Sequence, residues 1–182
     1  GRRFGKDRLA LNCCILGHGP RNGGVPKWRG MAQGVDVAWV GPDFPQLRAV
    51  WREDIEKTFV GVAGIELNQQ ERPITIEGAG SLELRPNENI DSLRGRKLGG
   101  CVLNEAAFFD SEYAIREVLL PALIDLGGWL ILISTPNAGP DGHETAEGKR
   151  SPSYFNLLCE QVMTGERGGE WQHFHYTTRD NP

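Results

Sequence analysis

Three short apolar runs constrain this chain more than any other feature. They are Asp36–Gly41 (DVAWVG), Gly100–Leu103 (GCVL, ending at Asn104-Glu105) and Trp129–Ser134 (WLILIS). Each is apolar on both alternating faces, so each needs cover above and below, which is the signature of a strand in a parallel sheet. The segments between them read as helices. Arg8–Leu16 is helical and is stopped by Gly17 and Gly19-Pro20. Pro45 opens a second helix whose Leu47, Val50, Trp51, Ile55 and Phe59 share one stripe. Ser111 is placed to cap a third, running to about Asp125 with a kink at Pro121. Ser151-Pro152 starts a fourth, with Tyr154, Phe155, Leu158 and Val162 on one face. Ile74–Glu77 and Leu82–Leu84 alternate about a Gly turn and read as a β-hairpin, residues 17–34 as a loop, and Trp171–Thr177 as a last strand. The expected class is α/β, a mainly parallel sheet with helices on both faces. The first helix has no strand before it, so the domain is expected to be truncated at its amino end, before the first strand.

Charge narrows the function. The 182 residues carry a net charge of −4, which argues against a histone-like nucleic-acid arm. The distribution is uneven: residues 1–30 hold seven basic residues against Asp7 alone, leaving a strongly acidic remainder. A basic amino end on an acidic body suggests an anion site there, unless it is simply solvated surface. The longest apolar run, 118–133, is broken by Pro121, Asp125 and Gly127-Gly128, so it is core and not a membrane span. No charged-then-apolar leader opens the sequence, and secretion is not expected. Cys13, Cys14, Cys101 and Cys159 form no C-x-x-C pair and read as core cysteines of a reducing compartment. His173 and His175 share a strand face without a third ligand at a persuasive spacing.

Three segments carry chemistry. Gly1–Asp7 (GRRFGKD), followed by a helix, resembles the end of a phosphate loop of the pattern G-x-x-x-x-G-K-[ST]. There glycines turn N–H groups inward, lysine reaches the β and γ phosphates, and the helix adds its dipole. The first glycine of the pattern would precede residue 1, and Asp7 replaces Ser/Thr. Val102–Glu105 is an apolar strand ending in polar residues, where an acid holds Mg²⁺ or its waters and a following Glu polarises the attacking water. Ser134-Thr135 puts hydroxyls at the carboxyl edge of a strand, where open parallel sheets bind ligands. Singly, each is matched by an ordinary turn or strand end; all three occur in order.

Taken together these residues resemble the large terminase subunit of tailed bacteriophages, the ATPase that packages viral DNA. The matching segments are GRRFGKD (1–7), WVGPDFPQLRAVW (39–51), SLRGRKLGGCVLNEAAFFD (92–110), ILISTPNAG (131–139), PSYFNLLCE (152–160) and TTRDNP (177–182). The resemblance implies a P-loop NTPase fold of RecA/ASCE-like type, with residues 1–182 a partial ATPase domain that lacks the carboxyl-terminal nuclease. It implies ATP and Mg²⁺ as cofactors. Gly5 and Lys6 would hold phosphates, Arg2 or Arg3 would add charge near the γ phosphate, and Glu105 would activate water. Ser134 and Thr135 would couple hydrolysis to movement, and Arg94 would be presented to a neighbouring subunit. Implied partners are double-stranded DNA, the portal protein, the small terminase subunit and further copies in a ring, in the host bacterial cytoplasm, with no membrane. Asp7 and Asn104 depart from the family pattern but conserve formal charge, so Asp7 is expected to ligate Mg²⁺ with the Asn104 amide donating to it. The rival readings are a helicase-like P-loop ATPase and a catalytically degenerate nucleotide-binding subunit.

Overall fold

The computed structural model describes residues 5–68, 74–108, 111–135 and 153–175. Its centre is a six-stranded sheet whose strands lie in the order Ile65–Leu67, Ile74–Ile76, Ser81–Pro86, Val37–Gly41, Gly100–Asn104 and Trp129–Ile133. The three apolar runs form neighbouring strands, β3 (Val37–Gly41), β7 (Gly100–Asn104) and β8 (Trp129–Ile133), all parallel. β6 (Ser81–Pro86) pairs parallel on the other side of β3, and β5 (Ile74–Ile76) then β4 (Ile65–Leu67) add an antiparallel margin. The β5–β6 hairpin is the one expected from the alternating pattern.

Strand alternation splits the core into two layers. Ala38, Val40, Cys101 and Leu103 face a cluster completed by Ile115, Val118, Leu119, Leu123 and Leu158. Val37, Trp39, Val102 and Ile133 face a second cluster with Ala10, Leu11, Cys14, Leu47, Trp51 and Ile55. Helix α1 (Lys6–Leu16) therefore covers one face, together with the helix that starts at Phe44–Val50 and runs through a π-helical stretch, Trp51–Glu56, to Lys57–Phe59. The other face is covered by the helix built of Ser111–Tyr113, a π-helical Ala114–Leu119 and Leu120–Ile124, and by Tyr154–Met163. Both-sided cover is what continuous apolar strands demand. Burial raises the thiol pKa values of Cys14 and Cys101, in keeping with their role as core packing.

Two expectations fail. Residues 17–34 are not a loop: β1 (His18–Asn22) and β2 (Val25–Trp28) form an antiparallel hairpin, followed by a 3₁₀ turn at Met31–Gln33. Gly23 and Gly24 make its two-residue turn with φ of 58° and 86°, the left-handed pair that such hairpins require. The alternating Trp171–Thr177 segment forms no strand over its described part, 171–175, because no sheet edge pairs with it. Residues 176 and 177 lie outside the described residues.

Candidate active site

The parallel strands end along one sheet edge, and the first turn of α1 meets that edge beside the end of β7. Gly5, at φ 82°, is the residue before α1; this left-handed turn brings Lys6 to the edge. The Lys6 Nζ is 2.6 Å from Glu105 Oε1, with both side chains roughly one-fifth exposed, 23% and 21%. Glu105 itself has φ 54°, the one non-glycine residue with positive φ among those described. A left-handed Glu costs on the order of 1–3 kcal/mol and persists because the surroundings impose it.

The β8 edge closes the arrangement. The Ala107 N–H donates to Ser134 Oγ at 3.2 Å, and the Thr135 N–H points to Glu105 Oε2 at 3.5 Å, the long limit of a hydrogen bond. Lys6, the Glu105 carboxylate after β7 and the Ser134-Thr135 pair are thus brought together. Arg2 and Arg3 lie outside the described residues.

Asp7 and Asn104 sit beside this pair. Asn104 is 6% exposed at the last position of β7, and its Oδ1 is buried without a hydrogen-bond partner; so is Oδ1 of Asp7. The hydrogen bond expected from the Asn104 amide to Asp7 is not formed, since balanced charge does not fix side-chain geometry. Burial raises the Asp7 pKa; Lys6 opposes the shift, while Asp54 and Glu105 add to it. Two orphaned hard-oxygen acceptors are a suitable donor set for Mg²⁺, and the charge of an ion would relieve the desolvated carboxylate. Among the described residues no cluster of three or more His, Cys, Asp or Glu could hold a metal, so such an ion would share its ligands with substrate oxygens and water.

Arg94 is elsewhere. Its segment, the 3₁₀ stretch Asn87–Leu93, packs in the layer opposite α1 through Ile90 and Leu93. The guanidinium donates to Asp91 Oδ1 at 2.6 Å, Tyr113 Oη at 2.8 Å and the Glu117 carbonyl at 3.1 Å. Sequence reasoning also missed Glu83, which is 2% exposed and bonded to Arg85 at 3.1 Å and Arg96 at 2.6 Å. Set between Leu82 and Leu84, it has the spacing of a solvent-facing strand residue. The imidazoles of His173 and His175 stack with centroids 6.3 Å apart.

No family model and no curated protein matches the chain. Solved structures do. The HK97 bacteriophage large terminase aligns over 91% of this chain and 32% of its own length, at TM-score 0.61 and 13% identity. The large terminase of a thermophilic bacteriophage, in complex with ADP, aligns over 84% and 35%, at TM-score 0.51 and 18% identity. The ATPase domain of the Thermus phage P74-26 large terminase aligns over 90% and 77%, at 0.50 and 17%. The fold is that of a phage large-terminase ATPase domain. A variant of the P74-26 domain is covered over 58% of its length, and the chain spans about a third of the HK97 and ADP-bound large terminases. No helix among the described residues is long and apolar enough to cross a membrane.

Proposed function

We propose that this chain is the ATP-hydrolysing part of a motor that packages double-stranded viral DNA. The observation that carries the reading is the Lys6–Glu105 ion pair at the carboxyl edge of the sheet, held against Thr135 of the next strand. The left-handed Gly5 and the start of α1 offer N–H groups to a phosphate, and Lys6 supplies the point charge. Asp7 and Asn104 would hold Mg²⁺, which when bound neutralises charge on the β and γ phosphate oxygens.

The ion pair gives the site an order of events. With Lys6 on Glu105, the carboxylate is engaged. When Lys6 swings to the triphosphate, Glu105 is released to accept a proton from water attacking the γ phosphate. The Thr135 amide, aimed at the other Glu105 oxygen, links that release to the edge of β8. This gives Ser134 and Thr135 a physical route to couple hydrolysis with movement. Arg94 would act on a neighbouring copy's nucleotide in a ring, on condition that it leaves its three present partners. Portal protein, small terminase subunit and the host cytoplasm are the setting this reading implies. No nuclease step is assigned to these residues.

The helicase-like reading is less favoured, because the matching solved structures are terminases. The test is binding of a fluorescent ATP analogue together with Mg²⁺-dependent phosphate release. Turnover that survives Glu105→Gln unchanged sinks the assignment of the base; absence of nucleotide binding sinks the whole reading.

A further inference from the structure

The basic amino-terminal block extends past the phosphate loop. From Arg8 to Val35 the sequence has no acidic residue, and β1–β2 carries Arg21 and Lys27 on the exposed part of its hairpin. Residues 19–25 are all exposed, and a Cβ built on Gly23 or Gly24 would meet nothing within 4 Å, so the tip stands clear of the body.

The root is the reverse. A Cβ on Gly19 would lie 2.4 Å from the Trp28 ring. The His18 ring stacks on Trp28 and meets Trp129 edge-on, each with centroids 5.0 Å apart. Trp129 Nε1 donates to the Arg29 carbonyl at 2.8 Å. The hairpin is thereby fixed to β8 and to the end of α1, the helix whose first residue is Lys6. A free two-stranded ribbon adds little to a core, so a rigid root beneath an exposed hairpin that carries Arg21 at its tip, donating to the Gly24 carbonyl at 2.9 Å, and Lys27 nearer the root points to a binding role. Lys27 already holds an anion: its Nζ lies 4.5 Å from the Trp28 ring centroid and is ion-paired with the exposed carboxylate of Glu170.

We infer that the β1–β2 hairpin contacts the phosphate backbone of duplex DNA, Arg21 and Lys27 meeting phosphates and Glu170 being the carboxylate that a phosphate displaces from Lys27. The choice of partner rests on the packaging reading; the placement of the charges does not. Contacts of this kind bind without regard to sequence and release counterions, so they weaken with salt.

The test uses the full chain and a fluorescently labelled duplex of mixed sequence, with anisotropy followed through a salt series. Arg21→Ala/Lys27→Ala should weaken binding and lower the slope of log affinity against log salt by about 2. Glu170→Gln should act in the opposite direction and tighten it. Wild-type affinity and slope in both variants would overturn the inference, as would a wild-type chain with no salt-sensitive duplex binding. Binding of the fluorescent ATP analogue is measured in parallel and should be unchanged by all three substitutions. Its absence from the wild type would overturn the ATPase reading while the duplex result stood on its own.

Discussion

Two ion-pair clusters stand on opposite sides of one sheet, and they are finished to different degrees. Glu83 on β6 is almost fully buried and is bonded by both Arg85 and Arg96, tying the strand to the segment that leads into β7. Lys6–Glu105 has an equally short contact, yet around it Asp7 Oδ1 and Asn104 Oδ1 are buried without partners, and the Glu105 backbone is held left-handed. Buried polar atoms left unpaired are costly, by about 1–3 kcal/mol each. At Glu83 both carboxylate oxygens are bonded and what is left over is a donor, the buried Arg85 Nε, whereas beside Lys6–Glu105 two oxygen acceptors are left over, the kind of orphaned pair that a cation would satisfy.

The comparison is broken most directly by exchanging the two glutamates' fates. Glu105→Gln should reduce phosphate release by roughly 100-fold or more, since a positioned base commonly contributes that much. It should leave chemical denaturation close to wild type, because the amide keeps the shape and the pair is partly exposed. Glu83→Ala should do the reverse. Removing the buried partner of two arginines should cost about 3 kcal/mol of stability, read as a lower denaturation midpoint, while the surviving folded fraction keeps its nucleotide affinity. Equal stability losses in the two variants would erase the distinction.

A smaller effect sharpens it. Burial raises the folded-state pKa of Asp7 above 3.8, so the folded chain holds this proton more tightly than the unfolded chain. Its contribution to stability is therefore complete below about pH 3.8 and is lost as pH rises through the raised folded value. Asp7→Asn should make the metal-free protein more stable at neutral pH and flatten its stability profile just above 3.8. Mg²⁺ should raise the Tm of the wild type and leave that of Asp7→Asn nearly unmoved. An equal Mg²⁺ response in both would remove Asp7 from the metal site.

How legible these regions are in the sequence follows from the same physics. DVAWVG, GCVLN and WLILIS show themselves because a strand covered on both faces has no room for polar alternation. The β1–β2 hairpin is hidden because HGPRN is almost wholly exposed and VPKW, with Pro26 buried and Trp28 half-buried, is too short for its alternation to register; Gly23-Gly24 is the one local sign of it. The reverse error occurs at Trp171, where alternation is present but no edge is available to pair with. At the site, residue order located Lys6, Glu105 and Ser134 on one sheet edge, because connectivity fixes which strand ends adjoin α1. It could not locate the Asp7 and Asn104 side chains relative to each other, nor reveal Arg96 on Glu83, since both depend on rotamers and on segments far apart in sequence.

Arg94 provides the subtlest test, because its three partners have a structural reason. Pro121 lacks an N–H, so the carbonyl four residues earlier, that of Glu117, loses its α-helical donor; Arg94 Nη1 supplies one at 3.1 Å. The same guanidinium bonds Asp91 and Tyr113, and those hydrogen bonds pull the exposed Asp91 carboxyl below its ordinary pKa. On this geometry Arg94 fastens the 3₁₀ stretch to the proline-bearing helix. Arg94→Ala should lower the Tm by less than Glu83→Ala does, and by the same amount at every protein concentration. Arg94→Lys should recover only part of that loss, because an ammonium cannot reach three partners in a planar fork. A group serving a neighbouring copy behaves differently: its loss leaves the Tm unchanged and lowers turnover only at concentrations where copies assemble. If turnover per chain falls on assembly in Arg94→Ala while the Tm holds, the contacts seen in the single chain are a resting position, and Glu83 alone remains as a structural ion-pair cluster.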